Sequence, residues 1–542
     1  MPRRSAAALL AVLVAGLLSW PALAQEDPFG KYDPPIEAHF VRSTDDTLDA
    51  NYFSQHPDKT MTDNLWIELY HDELGIDIVY DWIARYGEEY DQKLGLALAS
   101  GDIPEFVNVS LVQLRQLADA GLIMPLEDIY DAYAAPRTRQ IMAAAGNAPF
   151  EAATIDGHLY GLPNVDGTLN QPDLLWIRTD WLEALGLEPP ETMEDLVAII
   201  EAFAAADFDG NGVDDTVGLV FTKELWGTWA GLRGFFNGFD AYPGIWVEAD
   251  GELVYGSILP GNRDALILLH EMYEKGLIDP DFGVKDANMV ARTAANGLCG
   301  VAYGQQWNSI WPLQLSYDAD RAHVQWQAFP IVSATGGPVK AQTADATTGW
   351  TVVRRDSQHP EAAVKLFNLF IEKCWGETAE NDVYYAPLDS ESIWKLSPVT
   401  PTNPTKNLDA FNALERYRET GDESQVTGEA RSILVKLQQF ESGSEEGFAL
   451  WGWERIYGAG GAYGVLRDYQ EGGLLQNDCF SGPPTATMAE RMAVIQYIEN
   501  DVFTRIILGE EDITAFDRFV DDFQRLGGDE ITREVNAWYR AH

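Results

Sequence analysis

The chain has 542 residues, a formal charge of −48 and 46% hydrophobic side chains, enough apolar material to bury more than one core and too much for a disordered chain. So acidic a surface lacks the basic footprint that phosphate backbones and anionic membranes need, which argues against nucleic acid as a partner. Cys299, Cys374 and Cys479 are the only cysteines and form no CxxC pair, so neither a disulfide framework nor a zinc or redox motif is written here. A single Cys374–Cys479 bridge and buried free thiols both stay open.

In chain order, residues 1–24 read as a signal peptide. Arg3 and Arg4 give the positive start, Ala6–Leu18 the apolar run, and Ala22-Leu23-Ala24 the small-residue cleavage site. The run is too short for a stable bilayer anchor, so the expectation is export and release into the periplasm. After a polar lead-in, Gly75–Tyr80 predicts a strand, Tyr90–Ala99 a helix ending at Ser100-Gly101-Asp102, and Pro104–Val109 the next strand. Such alternation predicts α/β layers. Thr192 and Asp195 have the spacing of a capping box, and Leu196, Ile199, Ile200 and Phe203 fall on one helical face behind them. Val217–Phe221 then reads as a strand, with further helices over 264–275, 360–371 and 488–497.

Between that helix and strand lies a cation-type loop. Asp207, Asp209, Asn211 and Asp215 put side-chain oxygens at its first, third, fifth and ninth positions. Gly212 supplies the sharp turn and Val213 a backbone carbonyl, a donor set suited to Ca²⁺. Gly218 stands where an EF-hand has its bidentate Glu, so the spacing predicts a lone structural Ca²⁺ loop. The competing reading is a solvated Asp/Asn/Gly turn.

Several phrases then accumulate in order: Leu98-Ala99-Ser100-Gly101-Asp102-Ile103-Pro104, Ile155–Pro163, Leu175–Leu182 with Leu185-Gly186-Leu187 and Pro190–Met193, Lys275–Phe282, Gly349–Ala363, and Ile506–Glu510 with Leu526-Gly527-Gly528. Together they resemble the extracellular solute-binding proteins of ABC importers (family 1), in the large oligosaccharide-binding branch that includes alginate-binding proteins. That family's cation loop reads D-x-N-G-N-G-x-x-D-E; this chain has Asp209 for the Asn and Thr216 for the Glu. The resemblance implies an α/β, two-lobed periplasmic-binding-protein fold with a ligand cleft between lobes and crossing hinge segments. Lobe 1 is expected over 25–160 with a return over 344–400, and lobe 2 over 161–343 with a C-terminal helical segment over 401–542. The resemblance further implies a monomer that captures an oligosaccharide and delivers it to the permease subunits of an ABC importer.

Seventeen Trp and 22 Tyr suit a saccharide cleft, where ring faces stack on aromatics and hydroxyls meet polar edges. Candidate contacts are Gln306, Trp307 and Asn308; Trp226 and Trp229; Trp453, Glu454, Arg455 and Tyr457; and, near the crossovers, Asn164, Asp166, Asp345 and Trp350. Each Trp also reads as core, because aromatics dominate cores as well as interfaces. A uronate-containing ligand would call for arginines, with Arg455 the candidate. No GxSxG, HExxH or phosphate loop appears, so the chain is not read as an enzyme. The runner-up is a secreted polysaccharide-degrading glycosidase or lyase whose carboxylates meet only in space.

Overall fold

Two separate sheets organise the chain, each built from strands contributed by distant stretches of sequence. The computed structural model describes residues 26–44, 48–208, 210–213, 215–343, 346–387 and 393–542. The signal-peptide reading, Asp209 and Asp345 therefore lie outside the described residues. In chain order the strands of the two sheets are β1 (Ile36–Thr44), β2 (Ile76–Arg85), β3 (Phe106–Val109), β4 (Leu162–Val165), β5 (Leu174–Arg178), β6 (Val217–Val220), β7 (Cys299–Gly304), β8 (Trp326–Phe329) and β9 (Thr347–Val353).

The lobe 1 sheet has the order β2-β1-β3-β9-β4. Its β1 runs parallel to both neighbours, while β9 runs antiparallel to β3 and β4. The lobe 2 sheet has the order β8-β5-β7-β6, with β7 parallel to β6 and antiparallel to β5. Every residue of β5 and β7 is buried, as expected of inner strands covered on both faces.

The stretch read above as a polar lead-in contains β1, a correction with a clear cause. Its Ala38 and Phe40 are buried on either side of His39, but the alternation is short, ending at Val41, which is buried as well, and the polar Arg42, Ser43 and Thr44. The helix expected at Thr192 spans Met193–Ala204, and its cap is complete. Asp195 N–H donates to Thr192 Oγ1 (3.1 Å), and Thr192 N–H donates back to Asp195 Oδ2 (3.0 Å). The helix before β3 spans Glu88–Ser100 and stops at Gly101, whose φ of 75° is the left-handed cap that favours glycine.

Lobe 1 packs Phe40, Trp66, Tyr70, Phe106 and Phe370 into one core, with Trp66 stacked on Phe370 at 4.8 Å. Lobe 2 packs Trp176, Trp181, Phe203 and Trp326, and the same core takes in Phe411, Trp451, Tyr463 and Phe516 from the C-terminal helices. All three cysteines are free thiols, with Cys299 and Cys374 buried. Among the described residues no helix is long and apolar enough to cross a membrane.

Three crossing segments join the lobes, and they are bonded to one another. Asp166 N–H donates to Ala346 O (2.7 Å), and Thr402 N–H donates to Val165 O (2.8 Å). A Cβ on Gly167 would come within 2.6 Å of Pro404 O, so the first and third crossings touch at a point where only glycine fits.

Candidate functional site: the cleft at the hinge

The carboxyl ends of parallel β1, β2 and β3 point to the hinge, and sheets of this kind place ligands outside those ends, where the strand order reverses. A cavity of about 470 Å³ lies there, within the size range of small-molecule sites. Arg42 and Ser43 from β1, Tyr86 just beyond β2 and Asn108 from β3 form one side. Asp166 and Asn170 come from the first crossing, and Thr402, Lys406 and Asn407 from the third. Tyr385 and Trp394 add an aromatic wall, stacked at 6.1 Å with 17° between their planes.

A buried polar network backs this wall. Lys406 pairs with Glu429 (2.8 Å), donates to Asn407 Oδ1 (2.6 Å) and lies 5.1 Å from the Tyr385 ring centre. Burial works against its charge, but Glu429 and the hydroxyls of Tyr385 and Tyr457 hold the ammonium well above the ordinary lysine range. Asn407 Oδ1 also accepts from Tyr457 (3.0 Å), and its amide donates to Asn170 Oδ1 (3.0 Å), which accepts again from Tyr463 (2.6 Å). Asp166 Oδ1 accepts from Gly167 N–H (2.8 Å) and from Asn170 (3.0 Å). Burial raises the Asp166 carboxyl above its usual range.

At the mouth, Arg42 donates through Nη2 to Lys395 O (2.6 Å), while its buried Nε has no hydrogen-bond partner among the described residues. Burial pushes the Tyr80 hydroxyl up to about 12, with Arg42 pulling the other way. Asn108 Oδ1 accepts from Asn164 (3.1 Å), and its amide donates to Thr348 O (3.2 Å). Gly349 (φ 127°) is the one residue type that fits beside it, since a Cβ would stand 2.5 Å from Asn108 Oδ1. A second groove of about 620 Å³ meets the first at Asn108 and Thr348, walled by Tyr90, Leu111 and an edge of Trp350.

The residues singled out from sequence fall unevenly around this site. Trp350 is otherwise buried, its indole donating to Pro149 O (2.8 Å). Asn164 is buried behind Asn108 and also donates to Thr351 Oγ1 (3.0 Å). Tyr457 belongs to the network behind the cavity. Trp453, Glu454 and Arg455 share its short helix but line neither groove. Lys436 Nζ sits 3.6 Å from the Trp453 ring centre, and Arg455 binds Glu454 (3.0 Å), Gln327 (2.9 Å) and Gln325 (3.2 Å).

Trp226 is half-buried, edge-on to Phe236 and Phe503, and Trp229 is core at 2% exposure. Trp307 is half-buried, donates to Gln305 Oε1 (2.7 Å) and stacks on Trp311. Gln306 and Asn308 beside it are buried. Arg42, Tyr385, Trp394 and Lys406 were missed. The available signal was the third crossing itself, where Pro398, Pro401 and Pro404 punctuate one short stretch.

In the cation loop, Asp207 accepts from Asn211 N–H (3.2 Å) and Gly212 N–H (2.9 Å), and Asn211 Nδ2 donates to Asp215 (3.4 Å). Phe208 lies flat on Trp181 at 4.0 Å and fixes the loop to the lobe 2 core. Val213 is exposed at the loop's tip. Among the described residues no group of three or more His, Cys, Asp or Glu is gathered for a metal; Asp209 and Asp214 lie outside that set. The donors present are all hard oxygens, which fit Ca²⁺ and not a soft metal.

Two lobes, three bonded crossings and a polar–aromatic cleft between them define a two-lobed, hinge-connected binding protein. The chain belongs to the bacterial extracellular solute-binding proteins, whose family model matches residues 61–373. It is 27% identical over 343 residues to the fructooligosaccharide ABC transporter substrate-binding protein FusA of Streptococcus pneumoniae serotype 4, a match covering 61% of this chain and 59% of that protein. It is 23% identical over 503 residues to the polygalacturonan/rhamnogalacturonan-binding protein YtcQ of Bacillus subtilis, covering 91% and 90%. Among solved structures, the alginate-binding protein AlgQ2 without calcium ion aligns at a TM-score of 0.62 with 13% identity, over 95% of this chain and 100% of that one. FusA with kestose aligns at 0.61 with 19% identity, over 93% and 99%. At these identities the structural likeness establishes the fold.

Proposed function

We propose that the protein captures an oligosaccharide in the cleft at the hinge and hands it to the permease subunits of an ABC importer, working in the periplasm as a monomer. The observation that carries this reading is the cavity beside the bonded crossings, where the stacked Tyr385–Trp394 pair stands next to polar side chains. Sugar rings present apolar faces and polar edges, and this wall offers both kinds of partner. The adjoining groove extends the site beyond one ring and suits a chain of them. Relatives named for fructooligosaccharide and for polygalacturonan/rhamnogalacturonan support the same ligand class. A ligand that touches both lobes favours a closed arrangement over an open one, and the permease would read that shift.

Binding without turnover is the reading for the cleft. Asp166 is the one carboxylate lining the cavity among the described residues, whereas glycoside hydrolysis uses a carboxyl pair flanking the bond. The loop over 207–215 holds a structural Ca²⁺ through Asp207, Asp209, Asn211, Asp215 and the Val213 carbonyl. In support, one FusA structure is of an EF-hand mutant, and the AlgQ2 structure is described as lacking calcium. The test is calorimetric titration of the mature protein with a panel of oligosaccharides, alongside an assay for new reducing ends. Saturable binding with no product is expected; sustained product release would make the protein an enzyme instead.

A further inference from the structure

We infer that the cleft selects an acidic saccharide, one bearing a carboxylate or sulfate on its rings, with Arg42 as its principal contact. This rests on the reading that the cleft holds an oligosaccharide, and it names the class.

The first observation is an inversion of charge. The chain carries 85 acidic against 37 basic residues, so an average patch of its surface is acidic. The described lining of the cavity departs from that balance: Arg42, Lys395 and Lys406 stand there with Asp166, and Lys406 is paired with Glu429 behind the wall.

The second observation concerns hydrogen-bond supply. A neutral sugar hydroxyl both donates and accepts, so its site needs free acceptors as well as donors. Here the cleft's side-chain amide oxygens are already engaged within the protein. Asn108 Oδ1 holds Asn164, Asn170 Oδ1 holds Asn407 and Tyr463, and Asn407 Oδ1 holds Tyr457 and Lys406. One oxygen of Asp166 holds Gly167 and Asn170. The donors are less committed: among the described residues Arg42 gives one bond, from Nη2 to Lys395 O, and its Nε is buried, which leaves its remaining Nη hydrogens for a ligand. A half-buried guanidinium matches a carboxylate or sulfate ester through those Nη hydrogens. Lys406 stays with Glu429 and adds field more than contact.

The acidic exterior opposes an anion at long range, but screening confines that effect to about 8 Å at physiological ionic strength. Contacts inside the cleft therefore decide the outcome.

The experiment is calorimetry with four length-matched trisaccharides: trigalacturonate, its fully methyl-esterified form, a sulfated trisaccharide and maltotriose. The expected result is that an acidic member binds about tenfold or more tighter than both neutral ones, the gain of one charge-assisted hydrogen bond. Arg42→Gln should lose about that factor for the acidic ligand, and Arg42→Lys should fall between. Preference for trigalacturonate over the sulfated sugar assigns the charge to a uronate, and the reverse assigns it to a sulfate ester. Equal binding of trigalacturonate and its ester, with the sulfated sugar no tighter, would overturn the inference. So would an Arg42→Gln variant that unfolds like the parent and keeps full affinity. Either result would leave saccharide capture standing, whereas no binding to any of a wider saccharide panel would remove both.

Discussion

Two regions of the molecule, one on lobe 2 and one at the hinge, are made from similar residues and differ in whether those residues line the cavity. On lobe 2, Trp307 donates to Gln305, and Arg455 pairs with Glu454 and donates to Gln325 and Gln327, although its Nε, like that of Arg42, has no hydrogen-bond partner among the described residues. On lobe 1 and the hinge, Tyr86 is 80% exposed, Arg42 gives one side-chain hydrogen bond among the described residues, and Trp394 stands half-buried in the cavity wall. Residue type marks a surface as able to bind sugar. Whether it does depends on whether those residues line the cavity and on how far their polar atoms are already satisfied inside the protein.

That contrast is broken most sharply at the buried ion pair behind the cleft. Lys406→Met leaves Glu429 buried without its cation and is expected to cost about 3–5 kcal/mol in urea unfolding. Adding Glu429→Gln should recover most of that loss; a double variant as unstable as the single one would mean the pair is not what Lys406 contributes.

Aromatic residues test the same division. Trp229→Ala, in the lobe 2 core, should lose about 3–5 kcal/mol of stability while the folded fraction still binds. Trp394→Ala, in the wall, should leave unfolding nearly unchanged and weaken saccharide binding about tenfold, or about 1.4 kcal/mol. Reversed effects would exchange the roles given to the two residues.

Protonation gives a third handle, on lobe 2 alone. Burial pushes Glu499 up to about 7 and Asp173 up to about 6. Both acids hold their protons in the folded state over a range where the unfolded chain has ionised. Their contribution to stability is therefore full below the unfolded values, 3.8 for Asp173 and 4.5 for Glu499, is lost as pH rises through about 6 and about 7, and is flat above. For Glu499 this amounts to ~3 kcal/mol. Glu499→Gln should flatten most of the slope in chemical unfolding between pH 4.5 and 7, and an unchanged slope would exclude Glu499 as its source.

Calcium should change stability slightly less than Glu499 does. At a hundredfold excess over its Kd it should stabilise the protein by ~2.7 kcal/mol, and chelation should lower Tm without abolishing ligand binding. Loss of binding with the fold intact would place the ion at the cleft and not on the outside of lobe 2.

Legibility in the sequence followed how local each signal is. The Thr192 cap, the helix behind it and the Asp207–Asp215 spacing are written within a few turns of chain, and the cap and helix stand in the structure as read. β1 was hidden because its alternation ends at Val41 and the polar residues at 42–44, in a strand flanked on both sides by parallel neighbours. Arg42, Trp394 and Lys406 come from three stretches that meet only at the hinge, so no spacing in the chain announces them. The Trp451–Tyr457 helix shows the converse: a conspicuous local cluster largely engaged by its own neighbours.

The most direct test of capture at the hinge is equilibrium dialysis of the mature protein against an oligosaccharide mixture, followed by mass spectrometry of what is retained. The account predicts about one intact, acidic oligosaccharide per chain, displaced when Arg42 and Trp394 are both replaced. Retention unaffected by that double replacement, or recovery of cleaved fragments, would contradict it.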